Sequence, residues 1–334
     1  MISPEFTQRI PVAVLGAGTL LGQTVTRLLN DHPWFSLAEA FDLPAAPAPP
    51  EGVNWTPGLA QVEQKYCGAS MTSAYCLSVL PDGHSIEWDR HYADHGATVV
   101  AHAEDGRNAA GFRLTLPDFD DGAALSYGRL HATPNCTTVL AALPLLALHR
   151  HFGLERIYIT TLQAVSGADL PGYPYLVMAD NVLPDLIGEE RALERELRAL
   201  FGEACTFEVR SARVPVKVGH TLMVEAELRH ETDAHDVVET LRSFAVSDDV
   251  ASLPTGRRHP FTLLDGRHQP RPGDLADLSA MTIAVGGVAM RRPRALRMTI
   301  VGDNLVRGAA GTTLLALEAI VRARHPEVPA RKGR

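Results

Sequence analysis

One segment limits the possible folds more than any other: RIPVAVLGAGTLLGQTVTRLLN, residues 9–30. Ile10 to Leu15 reads as an apolar strand, and Leu21, Val25, Leu28 and Leu29 recur on one face of a following helix. Between them Gly16, Gly18 and Gly22 stand in the spacing GxGxxxG. In such a strand–turn–helix unit the first glycine permits the tight turn and the second lets backbone approach a pyrophosphate. The third allows close helix–strand packing. The amides at the helix start, those of Thr19, Leu20 and Leu21, then face an anion. The spacing fits a dinucleotide site and also a tight turn that binds nothing; its position at a first βα turn favours the former.

The pattern continues downstream. A second apolar run, Phe35 to Phe41, ends at Asp42 and is followed by LPAAPAPPEG, whose prolines exclude helix and central strand. Residues 74–80 (AYCLSVL) and 97–101 (ATVVA) read as buried strands. Strands alternating with helices predict a parallel, doubly wound sheet. Asp42 lies 20 residues after Gly22. An acid there accepts hydrogen bonds from a ribose 2′-OH and repels a 2′-phosphate, which favours NAD over NADP; an exposed loop aspartate is the alternative.

With 334 residues the chain exceeds one ordinary core, so two domains are expected. A formal charge of −8 argues against a broad nucleic-acid footprint but leaves room for a local anion pocket. No run of about 18 apolar residues offers a membrane span, and no secretory leader pattern opens the sequence, so a cytoplasmic location without membrane partners is expected. Only Lys65, Lys217 and Lys332 among the 31 basic residues are lysines, a bias that base composition explains.

From Cys136 the pattern changes. Val139, Leu140, Leu143, Leu146 and Ala147 recur at helical spacing up to Gly153, with Pro144 expected to kink the helix. IYITTLQAV reads as a strand, and Glu189 to Phe201 as a charged amphipathic helix ended by Gly202. Strand-like runs follow at 206–216, 221–228, 282–290 and 296–301, as in the antiparallel sheet of an α+β domain. Residues 252–280, rich in Pro, Gly and Arg, suggest an ordered loop or lid. A last helix, Thr312 to Arg324, is apolar on one face and is expected to return to the first domain.

Cys67, Cys76, Cys136 and Cys205 have neither zinc spacing nor the look of a disulfide framework. Three read as inert buried thiols. Cys136 differs, because ThrProAsnCysThrThr places it after a Pro-Asn turn at the start of an apolar helix. Unpaired amides there favour the thiolate, so Cys136 is a candidate nucleophile.

The segments GAGTLLG (16–22), PNCTT (134–138), QAVSGADLPGYP (163–174), RVPVKVGH (213–220) and DNLVRGAAG (303–311) occur in one order along the chain. Together they resemble the aspartate-β-semialdehyde dehydrogenase family. DNVLPDLIGEERALERELRALFG (180–202) is similar to its archaeal and fungal branch. The resemblance implies a Rossmann-like α/β nucleotide domain (1–135 with 305–334) and an α+β catalytic and dimerisation domain (136–304) of the glyceraldehyde-3-phosphate-dehydrogenase-like type. It also implies a homodimer or homotetramer, NADP as cofactor, and a small-molecule substrate with inorganic phosphate. Cys136 would be the acylated nucleophile, His220 the general acid/base, and Gln163 the residue orienting substrate. Arg213 would hold the substrate carboxylate as a fork. Arg107 would bind phosphate, with Asn135 and Glu189 completing the substrate site, and Asn304 would bond the nicotinamide carboxamide.

The chemistry so implied is transfer of an acyl group from phosphate to Cys136, then hydride reduction of the thioester to aldehyde. His220 would move protons with a pKa near ambient pH, and the Cys136 amide would stabilise the oxyanion. Three departures stand out. Gly18-Thr19 inverts the family's usual Thr-Gly order. The proline-rich stretch after Asp42 replaces its NADP 2′-phosphate residues. Ala192 stands where the family has a phosphate-binding lysine, for which Arg191, Arg195 and Lys217 are possible substitutes. A sister reductase of another acyl phosphate or an acyl-CoA such as malonyl-CoA is the alternative; a catalytically silent paralogue is another, which the intact Cys136 opposes.

Overall fold

The computed structural model describes residues 9–44, 62–120, 125, 127–168 and 172–328. The proline-rich stretch from residue 45, and residues 169–171 of the QAVSGADLPGYP segment, lie outside the described residues.

The first half runs β1 (Ile10–Leu15), α1 (Leu20–Asn30), β2 (Phe35–Asp42), β3 (Gln64–Tyr66), β4 (Tyr75–Ser78), α2 (Ser85–Asp94), β5 (Thr98–Ala101), α3 (Glu104–Arg107), β6 (Arg113–Leu114) and β7 (Leu130–Ala132). Its seven strands form one sheet in the order β3-β2-β1-β4-β5-β7-β6. Every neighbouring pair is parallel. The strand pleat sends alternate side chains to opposite faces. Thus Val12 and Val14 enter one apolar cluster, and Ala13 and Leu15 another that includes Tyr92 of α2. Burial on both faces explains why β1 reads as an unbroken apolar run.

The second half contains α4 (Cys136–Phe152), β8 (Leu154–Ala164), α5 (Tyr175–Met178), β9 (Leu183–Pro184), α6 (Glu189–Phe201), β10 (Thr206–Val214), β11 (His220–Leu228), α7 (Ala234–Ser243), α8 (Asp248–Ala251), β12 (Phe261–Leu264), β13 (Ile283–Arg292), β14 (Ala295–Gly302) and α9 (Gly311–Arg324). The second sheet has the order β12-β13-β14-β11-β8-β10-β9. It is mixed, not antiparallel as expected: β8–β10 and β12–β13 are parallel. The β8–β10 link contains α6, so the chain crosses over and returns in the same direction. Helix α4 is buried from Thr137 to Leu148 and shares a core with Phe207, Leu222 and Ile300 of this sheet. A helix apolar all round belongs inside, and α4 continues through Pro144.

Residues 252–280 are also more regular than a lid. They contain β12 and a 3₁₀ turn, Pro272–Asp277, and the amide of Thr255 donates to Glu318 of α9 at 2.9 Å. Helix α9 packs Leu314, Leu317 and Ile320 into the same cluster as Val12, Val14 and Val25. Each such side chain contributes about 1.5–3 kcal/mol when fully buried. Among the described residues no helix is long and apolar enough to cross a membrane.

Candidate active site

Cys136 is the first residue of α4, and Asn135 caps that helix. Asn135 Oδ1 accepts from the Thr137 amide at 2.9 Å, the Thr137 hydroxyl at 2.8 Å and the Cys136 thiol at 3.4 Å. A residue that the sequence reading missed fastens this turn. Glu196, 1% exposed, accepts the Asn135 amide at 2.7 Å and the Thr138 hydroxyl at 2.6 Å through one carboxylate oxygen. Its other oxygen takes Arg107 Nη1 at 3.2 Å. Arg107 also donates from Nη2 to His102 O at 2.6 Å and from Nε to Thr133 O at 3.2 Å. The arginine expected at the substrate phosphate is therefore buried and already serves three protein acceptors.

Beside Cys136, Gln163 at the end of β8 joins two opposite charges. Its Nε2 donates to Glu189 Oε2 at 3.2 Å, and its Oε1 accepts from Arg213 Nη1 at 3.2 Å. Asn135 Nδ2 donates to the same Glu189 oxygen at 3.3 Å. Arg213 lies opposite Gln163 in the parallel β8–β10 register and donates to Ala164 O at 3.0 Å. His220, the first residue of β11, accepts the Ala164 amide on Nδ1 at 3.0 Å. This fixes the neutral ring with its proton on Nε2. Among the described residues, Arg213 Nε and His220 Nε2 have no hydrogen-bond partner although both are buried. A Cβ on Gly167 would come within 2.7 Å of Arg213 Nη1 and 3.1 Å of His220 Nε2, so only bare backbone fits against these two side chains. Cys136, Asn135, Gln163, Glu189, Arg213 and His220 thus gather in one place.

The electrostatics depart from the sequence expectation. Burial pushes the Cys136 thiol up to about 12, and the Glu189 carboxylate adds to the rise, while Arg107, Arg213 and the Thr137 amide oppose it. Burial therefore outweighs the helix start that was expected to favour thiolate. Burial also drives His220 down to about 3, with Arg213 second. The pair is accordingly neutral thiol and neutral imidazole, not a histidine poised near ambient pH. The other three cysteines are free and buried.

The glycine turn forms, but the Thr19 amide, expected to face an anion, donates to Gly16 O at 3.0 Å. Gly16 has φ +78°, and a Cβ there would meet Val79 O at 2.6 Å; one on Gly22 would meet Gly16 O at 2.0 Å. Thr19 caps α1, its hydroxyl accepting the Gly22 amide at 2.9 Å and donating to Gly16 O at 2.8 Å. Leu20 and Leu21 open the helix, where amides have no intrahelical acceptor. These features fit a pyrophosphate of a dinucleotide. Asp42, at the tip of β2, accepts the Gly18 amide on both oxygens, at 3.0 and 3.1 Å. Burial raises its pKa, which the Gly18 amide opposes.

Asn304 is buried and ties two turns together, accepting the Gly219 amide at 2.9 Å and donating to Ser166 Oγ at 3.0 Å. After it, Val306–Ala310 form a π-helical turn. A Cβ on Gly308 would lie 2.6 Å from Cys136 Cβ, so this second missed residue seats the nucleophile. Ala310 of the same turn shares a core with Ala17 of the glycine turn. The two halves of the site therefore meet through this turn. Ala192 is buried on α6. Of its possible substitutes, Arg195 pairs with Glu104 at 3.0 Å, and Arg191 and Lys217 are exposed.

Known proteins resemble this chain along most of its length. Residues 145–307 match the model of the semialdehyde dehydrogenase dimerisation domain. The chain is 29% identical to an aspartate-semialdehyde dehydrogenase of Archaeoglobus fulgidus, over 94% of this chain and 98% of the relative. Over residues 145–307 the chain is similar to the semialdehyde dehydrogenase family. Another relative with this fold-wide match is the malonyl CoA reductase (NADP) of Metallosphaera sedula, 26% identical over 93% of this chain and 97% of its own. Among solved structures, aspartate semialdehyde dehydrogenase with NADP from Candida albicans superposes with a TM-score of 0.85 at 22% identity, covering 95% of this chain and 99% of the other. The matched region carries Gln163, Glu189, Arg213, His220 and Asn304, whereas Cys136 and the glycine turn precede it.

Proposed function

We propose that the chain is an aspartate-semialdehyde dehydrogenase, reducing aspartyl-4-phosphate to aspartate 4-semialdehyde and releasing inorganic phosphate, for lysine, threonine and methionine synthesis. The observation that carries this reading is the Glu189–Gln163–Arg213 chain beside Cys136. Arg213 suits a substrate carboxylate, and Glu189 suits an ammonium, so the pair matches the two charges of an amino acid.

The sulfur of Cys136 attacks the acyl carbon, the carbon–oxygen bond to phosphate breaks, and the thiol proton leaves with the phosphate. Thr19, Leu20, Leu21 and the glycines would hold a reduced nicotinamide dinucleotide and Asn304 would order its carboxamide; when bound, that cofactor would supply hydride to the thioester. His220 donates from Nε2–H to the resulting oxyanion, because its Nδ1 is engaged by the Ala164 amide. Collapse to the aldehyde frees the Cys136 sulfur, which recovers a proton. NADPH is the donor suggested by the relatives' cofactor, with NADH the alternative raised by Asp42. A cytoplasmic homodimer or homotetramer built on the second sheet completes the reading.

The test is phosphate-dependent oxidation of aspartate semialdehyde, run with NADP and NAD separately. Turnover with either supports the assignment. Ala192 and the engaged Arg107 leave few cations for a phosphate group, which favours an acyl-CoA reductase as second reading. Turnover of malonyl-CoA without any of aspartate semialdehyde would establish that reading instead.

A further inference from the structure

The adenosine end of the nucleotide site has a charge pattern of its own. Between Arg27 and Arg90 the chain contains one lysine or arginine, Lys65. Lys65 lies on β3, beside β2, and its ammonium is held by Glu39 at 2.9 Å. Burial disfavours the charged form of Glu39, yet Lys65, Ser73 and Thr72 outweigh it and hold its carboxyl at about 2, so the pair is ionised. That cation is engaged inside the sheet edge. At the tip of β2, by contrast, stands the Asp42 carboxylate. Accepting one N–H from Gly18 leaves it lone pairs for further donors. A ribose 2′-OH supplies such a donor. A 2′-phosphate brings negative charge toward a carboxylate, with no free cation on β2 or β3 to receive it.

We propose that Asp42 makes this chain select NADH over NADPH, unlike the NADP-named relatives. The proposal rests on reading the glycine turn as a dinucleotide site and adds which dinucleotide it takes. The coupling is direct, since the same carboxylate holds the amide of Gly18, the residue that approaches the pyrophosphate. Selection therefore acts on the placement of the whole adenosine half and not only on one hydroxyl.

The experiment is a fluorescence titration of the full chain with NADH and with NADPH, without substrate. NADH is expected to bind at least about tenfold tighter. In Asp42→Asn, which keeps an oxygen for Gly18 and loses the charge, that ratio is expected to shrink severalfold, mainly through stronger NADPH binding. Equal or tighter binding of NADPH by the unmodified chain overturns the selection while leaving the reductase assignment standing. An unchanged ratio in Asp42→Asn overturns the role of Asp42. Binding of neither nucleotide overturns the dinucleotide reading and this proposal together. The comparison on the unmodified chain decides the matter alone if Asp42→Asn does not fold.

Discussion

At the scale of single residues, the site spends its charges on one another. Glu196 is tied to Arg107, Glu189 to Gln163 and Gln163 to Arg213, which leaves Cys136 and His220 neutral between them. Cys136→Ser is expected to lower turnover by about a thousandfold or more with the fold intact, because a hydroxyl is a far weaker nucleophile; steady-state assays beside a melting curve test it. A thiol pushed up to about 12 carries little thiolate at neutral pH. Alkylation by iodoacetamide should therefore keep accelerating beyond pH 9, with no plateau in the range of an ordinary cysteine. His220 is held neutral down to about 3, so the acid limb of the kcat/KM profile should show no group titrating near 6.5. An inflection there assigned to His220 would show that burial does not hold the ring neutral in the free enzyme. The nucleophile was legible in the sequence because Pro-Asn-Cys before an apolar run announces a helix start. Glu196 was not: on a helix rich in charge, nothing in one sequence separates the carboxylate that turns inward from those facing water.

At the scale of elements, the π turn before α9 is the most exacting. Gly308→Ala would normally favour a helix. Here the added methyl would press on Cys136, so turnover should fall by about a hundredfold, as misplacement of a reacting group by about an ångström does. Unchanged turnover would show that the turn yields instead. Strands β1, β2, β4 and β5, helices α4 and α6, and strands β10, β11, β13 and β14 were readable because each buries residues whose apolar pattern survives in the sequence. Short pieces such as β3, β6 and β9 carry two or three residues and no period at all. Segment 252–280 misled through its composition: β12 is only Phe261–Leu264, and the prolines and glycines around it dominate any window.

At the scale of the whole molecule, Glu318 joins three distant parts of the chain. Fully buried on α9, it accepts His32 Nε2 at 2.8 Å and the amide and hydroxyl of Thr255. Glu318→Ala strands these donors and should cost about 1–3 kcal/mol, read from denaturant unfolding. Leu317→Ala, which opens space in the shared cluster, should cost about 2–5 kcal/mol. That cluster also sets an order of events during synthesis. The ribosome delivers β1 and α1 early, but the helix that covers Val12 and Val14 leaves the exit tunnel only after every strand of the second sheet. The second sheet needs only α4 and its neighbours to close its own core, so it can fold first. The nucleotide half meanwhile waits with an apolar face in water, and in the growing chain it is the part that chaperones would have to shield.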